Sequence, residues 1–247
     1  MTRFVLEIAA NSLESALAAQ MGGADRVELC ADLEHGGTTP SCGTIGTTRD
    51  RLSIPLYVLI RPRTGDFCYD ATEVEVMLRD IELCAKVGCD GVVIGALDKD
   101  GDVDIPVCRD LIATAGQLGV TFHRAFDVTR DPVRALDTII ELGCERILTS
   151  GGEANALAGA ERIALFVNQA GPRANIMVGA GLDASNVLEV ARCSGAREFH
   201  GSAKAMRKSP GRHYAALPGL EADWWQTDAD IVRAMGNAMR SRSHRSG

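Results

Sequence analysis

At 247 residues with 46% hydrophobic side chains, the chain is long enough to bury a large core, and α/β barrels of this size commonly form one domain. Its net charge of −7 repels phosphate backbones and anionic lipid, and no apolar run approaches the roughly 20 residues of a membrane-spanning helix; small molecules or metal ions are the expected partners, with no nucleic acid and no membrane. Eight cysteines without a C-x-x-C pair, and no charged-then-apolar leader before the first strand, argue against a secreted disulfide framework and for the cytoplasm.

Apolar runs of strand length fall at Phe4 to Ala10, Arg26 to Cys30, Leu56 to Arg61, Gly91 to Ala96, Val120 to Arg124, Arg146 to Ser150, Asn175 to Gly179 and Glu198 to Ser202. Helical patterns separate them at 12–21, 43–52, 73–87, 105–118, 132–142, 156–169 and 185–193. Start signals include Asn11 with Glu14, Thr72 with Glu75 as a capping box, Asp104 before Ile105-Pro106, and Asp131 before Pro132. The segment Lys204 to Gly219 reads as a long covering loop, and an eighth helix is expected from about Asp228 to Met239, capped by Thr227 or Asp228.

A short internal repeat marks every second strand. Gly23-Ala24-Asp25-Arg26-Val27, Gly88-Cys89-Asp90-Gly91-Val92, Gly143-Cys144-Glu145-Arg146-Ile147 and Gly195-Ala196-Arg197-Glu198-Phe199 each place a helix-ending glycine, a small residue and a charge before an apolar run. Eight βα units fit a single (β/α)8 TIM barrel over residues 1–239 with a C-terminal helical extension, followed by a flexible polar tail at 240–247.

In such a barrel chemistry gathers at the C-terminal strand ends. Glu7, Glu28, Arg61, His123 and His200 interrupt apolar strands, and a charge in such a place needs partners. Glu7, Glu28 and Arg61, on neighbouring strands, are expected to form one charged cluster, either as a salt-bridge network or as a functional pocket joined by the histidines. In the catalytic reading Glu7 or Glu28 is the base, His123 the general acid with a pKa raised by a neighbouring carboxylate, and His200 orients the ligand. Arg61 would grip an anion bidentately. Backbone N–H groups after the last three strands would help, with Ser150, Gly151, Gly152, Gly179, Gly181, Gly201 and Ser202 as ligand-binding candidates; tight turns are the plainer reading of those glycines.

Other motifs carry less. The acidic run Asp98 to Asp104 lacks EF-hand spacing and reads as a solvated turn, and Gly179-x-Gly181 is no dinucleotide fingerprint. Cys84, Cys89, Cys108, Cys144 and Cys193 fall in or beside helices as small hydrophobes, whereas Cys30 ends a strand and Cys42 and Cys68 lie in loops. Thiolates suit Cu(I) better than calcium or magnesium.

Several longer motifs resemble the CutC copper-homeostasis family: Leu6-Glu7-Ile8, Gly23 to Cys30, Gly36-Gly37-Thr38-Thr39-Pro40-Ser41, Ile60 to Tyr69, Thr121-Phe122-His123-Arg124-Ala125-Phe126-Asp127 and Leu148-Thr149-Ser150-Gly151-Gly152. The likeness runs through Ser202, and Glu34-His35-Gly36-Gly37 departs from it by an extra histidine, so His35 takes no family role. The resemblance implies a cytoplasmic barrel linked to copper handling or tolerance. With it comes copper as Cu(I), for which thiolate chemistry makes Cys30 or Cys68 the candidate metal ligands, ordinary thiols being the plainer reading of both; a homo-oligomer is the expected assembly. A TIM-barrel enzyme acting by acid/base chemistry on a phosphorylated or carboxylated small molecule is the alternative.

Overall fold

The computed structural model describes residues 3–213, 217–218 and 220–240. Eight strands, β1 (Val5–Ala10), β2 (Arg26–Leu29), β3 (Leu56–Leu59), β4 (Gly91–Ile94), β5 (Gly119–Phe122), β6 (Arg146–Thr149), β7 (Asn175–Val178) and β8 (Glu198–Gly201), pair in parallel in that order, and β8 closes on β1. Around them run α1 (Leu13–Gly22), α2 (Cys42–Arg51), α3 (Ala71–Val87), α4 (Ile105–Ala115), α5 (Pro132–Glu141), α6 (Ala160–Ala170), α7 (Val187–Ser194) and α8 (Ala229–Arg240). This is a (β/α)8 barrel.

Alternation along each strand sorts the side chains. Leu6, Ile8, Val27, Leu29, Leu56, Val58, Ile94, Phe122, Ile147 and Phe199 turn outward and pack with helix residues such as Ile45, Met77, Leu111, Leu136, Ile163 and Val190 in one core. Each fully buried side chain of this kind contributes about 1.5–3 kcal/mol, and the layer they fill lies between barrel and helices. A separate small cluster of Cys30, Tyr57, Leu59 and Val93 occupies the interior.

The rest of the interior is charged. Arg26 bridges Glu7 and Glu198, its Nη2 lying 2.9 Å from Glu198 Oε2, while Arg146 Nε donates to the same oxygen at 2.5 Å and Arg146 Nη1 to Thr121 Oγ1 at 3.1 Å. Both guanidiniums stack on the Tyr57 ring, whose hydroxyl donates to Glu145. Tyr57 reaches across β4 and β5, where a Cβ on Gly91 or Gly119 would come within 2.2 Å of its ring or hydroxyl. The two glycines therefore make room for the tyrosine.

The repeated glycines end helices as expected: Gly23, Gly88 and Gly195 cap α1, α3 and α7 at φ of 89°, 78° and 70°, and Gly143 follows α5 at 97°. Nothing lies near a Cβ built on any of the four, so the left-handed backbone alone selects glycine. After two of them, Gly23 and Gly88, the acidic residue two positions later ties adjacent strands, Asp25 accepting from Leu6 N at 2.9 Å and Asp90 from Leu56 N at 2.8 Å.

Several boundaries differ from expectation. The capping box of α3 is Asp70 with Glu73, two residues before Thr72 and Glu75, and Ser12 rather than Asn11 caps α1 by accepting from Ser15 N. Asp104, Asp131 and Asp228 cap as expected. The helices α4 and α6 are shorter than their patterns, since Gly116 leaves helical geometry and 156–159 form a turn. Residues Lys204–Arg207 (β9) are not loop but pair antiparallel with Trp224–Thr227 (β10), whose end meets α1 through Thr227 N and Ser15 Oγ. In the acidic turn, Asp98 Oδ1 accepts from the N–H groups of Asp100 and Asp102. The tail expected at 240–247 lies outside the described residues from 241 onward. Among the described residues no helix is long and apolar enough to cross a membrane.

Candidate functional site

The C-terminal mouth of the barrel holds a cavity of about 450 Å³, a volume suited to a small molecule. Glu28, Cys30, Arg61, Phe67, His123 and His200 line it, and His35, Arg124, Asp127, Gly181, Gly201 and Ser202 form more of its wall. Glu7 lies below, fully buried.

One group of charges converges at the β1, β2 and β8 side. The strand register sets Glu7 beside both Arg26 and His200, so three separate stretches of sequence meet. His200 Nε2 lies 2.6 Å from Glu28 Oε2 and 3.7 Å from Glu7 Oε1. Burial works against the charge on His200, but the Glu28 carboxylate, its hydrogen bond and Glu7 outweigh it and hold the pKa above the ordinary histidine value. Arg26 takes the other oxygen of Glu7.

Arg61 does not join that group. Its Nη1 donates to the carbonyls of Gly37 at 2.8 Å and His35 at 3.3 Å, its Nη2 to that of Gly65 at 2.8 Å, and its guanidinium sits over Phe67. Both terminal nitrogens bind the loops after β2 and β3, so the expected cluster with Glu7 and Glu28 is absent and three of the five guanidinium N–H groups are already taken. Nε is buried and unpartnered. Gly36 gives the guanidinium room, because a Cβ there would lie 3.2 Å from Arg61 Nη1, and Gly37 makes room for Leu59, which its Cβ would meet at 2.6 Å.

His123 stands at the end of β5 and begins a 3-10 turn, its Nδ1 accepting from Ala125 N at 3.1 Å. The neutral ring therefore carries its proton on Nε2. That nitrogen is buried without a partner, and the ring is 5.0 Å from Phe67. Burial, with Arg61 nearby, pushes its pKa down to about 3, the reverse of the expected rise. No carboxylate reaches it to offset the burial. The ring fills the space above Gly95, where a Cβ would lie 2.4 Å from it.

The glycine loops are arranged differently from an anion cradle. Asp127 places its own carboxylate in the loop after β6, accepting from Ser150 N at 3.0 Å, Gly152 N at 3.1 Å and Thr149 Oγ1 at 2.5 Å, while Gly151 N donates to Thr149 Oγ1. Gly179 N donates to Thr149 O, and a Cβ there would strike Leu148 at 2.7 Å. Ser150, Gly151, Gly152 and Gly179 therefore have no amide left to offer, because the fold supplies its own anion. Gly181, Gly201 and Ser202 do face the cavity.

The cysteines stay apart from the converging donors. Cys30 is buried against Ala10 O, and burial, with Glu28 and Asp32 nearby, pushes its thiol up, which disfavours the thiolate. Cys68 sits in the loop held by Arg63 and does not line the cavity. Among the described residues the only group of three or more such donors is Glu7, Glu28 and His200. These nitrogen and oxygen ligands do not fit a soft Cu(I) centre, which wants thiolates.

Sequence reading passed over two further sets of residues. Arg124 lies at the rim, its Nε on Asp127 at 2.7 Å and its Nη2 on Ser150 Oγ at 3.0 Å. Arg26, Arg146 and Glu198 begin strands and are buried, and the alternation Arg26-x-Glu28 and Glu198-x-His200 puts two of them on the same inward face as the candidates already named.

A family model described as the CutC family matches residues 4–205. The chain belongs to the CutC family. It is 57% identical over 234 residues to a CutC family protein of Xanthomonas campestris, covering 93% of this chain and 96% of that one. A solved structure described as a proposed copper homeostasis protein CutC, from Streptococcus agalactiae, superposes with a TM-score of 0.77 at 32% identity over 81% of this chain and 98% of that one. A thiamine phosphate pyrophosphorylase from Pyrococcus furiosus, with a TM-score of 0.61 at 13% identity over 96% of each chain, shares the fold alone.

Proposed function

We propose that this member of the CutC family works through its mouth cavity, where a small anionic molecule binds and a proton is moved on it. The observation that carries the reading is His123 Nε2, a buried proton donor without a partner in the wall of a cavity of ligand size. A buried donor left unsatisfied costs about 1–3 kcal/mol, which an oxygen of a bound molecule would recover. Being neutral, His123 would act by donating a hydrogen bond to an oxygen that gains negative charge, not by giving up a proton from imidazolium. Glu28, which lines the cavity where Glu7 does not, would take the proton from the adjacent carbon, with His200 fixing its carboxylate. Arg124, at the open rim, replaces Arg61 as the guanidinium for the anionic group.

The test is thermal stabilisation by a panel of phosphorylated and carboxylated metabolites, in wild type, His123→Asn and Arg124→Gln. A ligand that raises the wild-type melting temperature and acts less on both variants supports the reading. No stabilising ligand, or an equal response from all three proteins, overturns it.

Copper as Cu(I) at Cys30 or Cys68 is a second reading, favoured by the family likeness and by the place of Cys30 in the cavity wall. An anaerobic Cu(I) titration of the Cys30→Ser, Cys68→Ser double variant decides it, and unchanged affinity rules these thiols out. A cytoplasmic homo-oligomer rests on the same likeness, to be checked by cell fractionation and sedimentation.

A further inference from the structure

We infer that the floor of the cavity is a site for one divalent cation of the Zn²⁺ or Mn²⁺ kind, held by Glu7, Glu28 and His200. One oxygen of Glu7, one of Glu28 and a ring nitrogen of His200 already lie within 4.8 Å of one another. Metal–oxygen and metal–nitrogen bonds of about 2.0–2.2 Å set donor atoms about 3–3.5 Å apart, so the 2.6 Å pair must open and the 3.7 Å pair close by less than 1 Å.

Glu7 Oε1 is the independent sign. It is fully buried and has no hydrogen-bond partner, since His200 Nε2 at 3.7 Å is too distant. An unsatisfied carboxylate oxygen beneath a second carboxylate and an imidazole is placed as a cation would need it. Its companion Oε2 is fixed by Arg26, which in turn holds Glu198, and such outer partners are what orient a metal ligand.

Ion pairing leaves the same point thinly covered: Arg26 and Arg146 hold Glu7 and Glu198, Arg61 turns to loop carbonyls, and among the described residues Glu28 pairs with His200 alone. Two carboxylates and one imidazole suit a divalent cation, and three protein ligands leave a position open toward the cavity.

The inference stands apart from the proton-transfer reading, because a cation here would take Glu28 out of use as a base. The experiment titrates chelator-treated wild type with Zn²⁺ by calorimetry and, separately, with Co²⁺ by visible absorption. One ion per chain is expected, with affinity lowered at least about tenfold in His200→Asn and in Glu28→Gln and retained in Cys30→Ser and His35→Ala. Circular dichroism establishes that each variant is folded. Histidine-labelled nitrogen NMR of wild type needs no variant: Zn²⁺ should move the Nε2 resonance of one buried histidine. Absence of stoichiometric binding, no shifted histidine resonance, binding unchanged in both folded ligand variants, or binding lost in Cys30→Ser would each overturn the site. Ligand-induced stabilisation of the metal-free protein would survive that failure, so the two readings are told apart.

Discussion

The two ends of the barrel interior are both charged, yet they differ in how completely their polar atoms are satisfied. At the lower end every buried nitrogen and oxygen of Arg26, Arg146 and Glu198 has a partner, and the guanidiniums also stack on Tyr57. At the mouth, His123 Nε2 and Arg61 Nε have none, and Glu7 Oε1 at the boundary has none either. A saturated network holds a structure together, whereas donors and acceptors held open at a cost are what a ligand would satisfy.

The largest expected effect comes from breaking the saturated end. Glu198→Ala leaves two buried guanidiniums without their shared carboxylate and should destabilise the protein by about 3–5 kcal/mol in chemical denaturation. A loss below about 1 kcal/mol would mean that water reaches the network and that the contrast with the mouth is false.

Acid should act on the mouth next. His123 has a folded pKa near 3 against about 6.5 unfolded, so its contribution is fully present above pH 6.5 and is lost as the pH falls toward 3, because only the unfolded chain takes up the proton. The loss reaches about 2 kcal/mol at pH 5. Comparing wild type with His123→Asn across that window isolates it, and parallel stability curves would show that the ring is solvated.

The smallest stability effect belongs to the rim. Arg124 is 45% exposed in its pair with Asp127, so Arg124→Gln should change stability by no more than about 1 kcal/mol in the same denaturation assay. A larger loss would move Arg124 to the structural side of the comparison.

The fold could be read from the chain because its signals are local. A glycine that needs a positive φ, an acid two residues on that ties two strands, and an aspartate before a proline each act within a few residues. The capping box of α3 shows where local signals stop: Asp70 with Glu73 and Thr72 with Glu75 have the same spacing. Arg63 favours the first pair, since it binds Cys68 O and Glu73 and so fixes the chain entering the helix.

The sequence by itself determined that charges and histidines stand at strand ends in a closed barrel, since period-2 alternation and βα spacing place them there. Only the tertiary structure decided their partners. The closure of β8 on β1 brings His200 to Glu7 and Glu28, the loops after β2 and β3 claim Arg61, Asp127 fills the amides of the loop after β6, and burial beside Arg61 reverses the direction of the His123 pKa. Partner choice depends on distances of a few ångströms between residues far apart in the chain, and Coulomb and desolvation energies change sign or size over such distances.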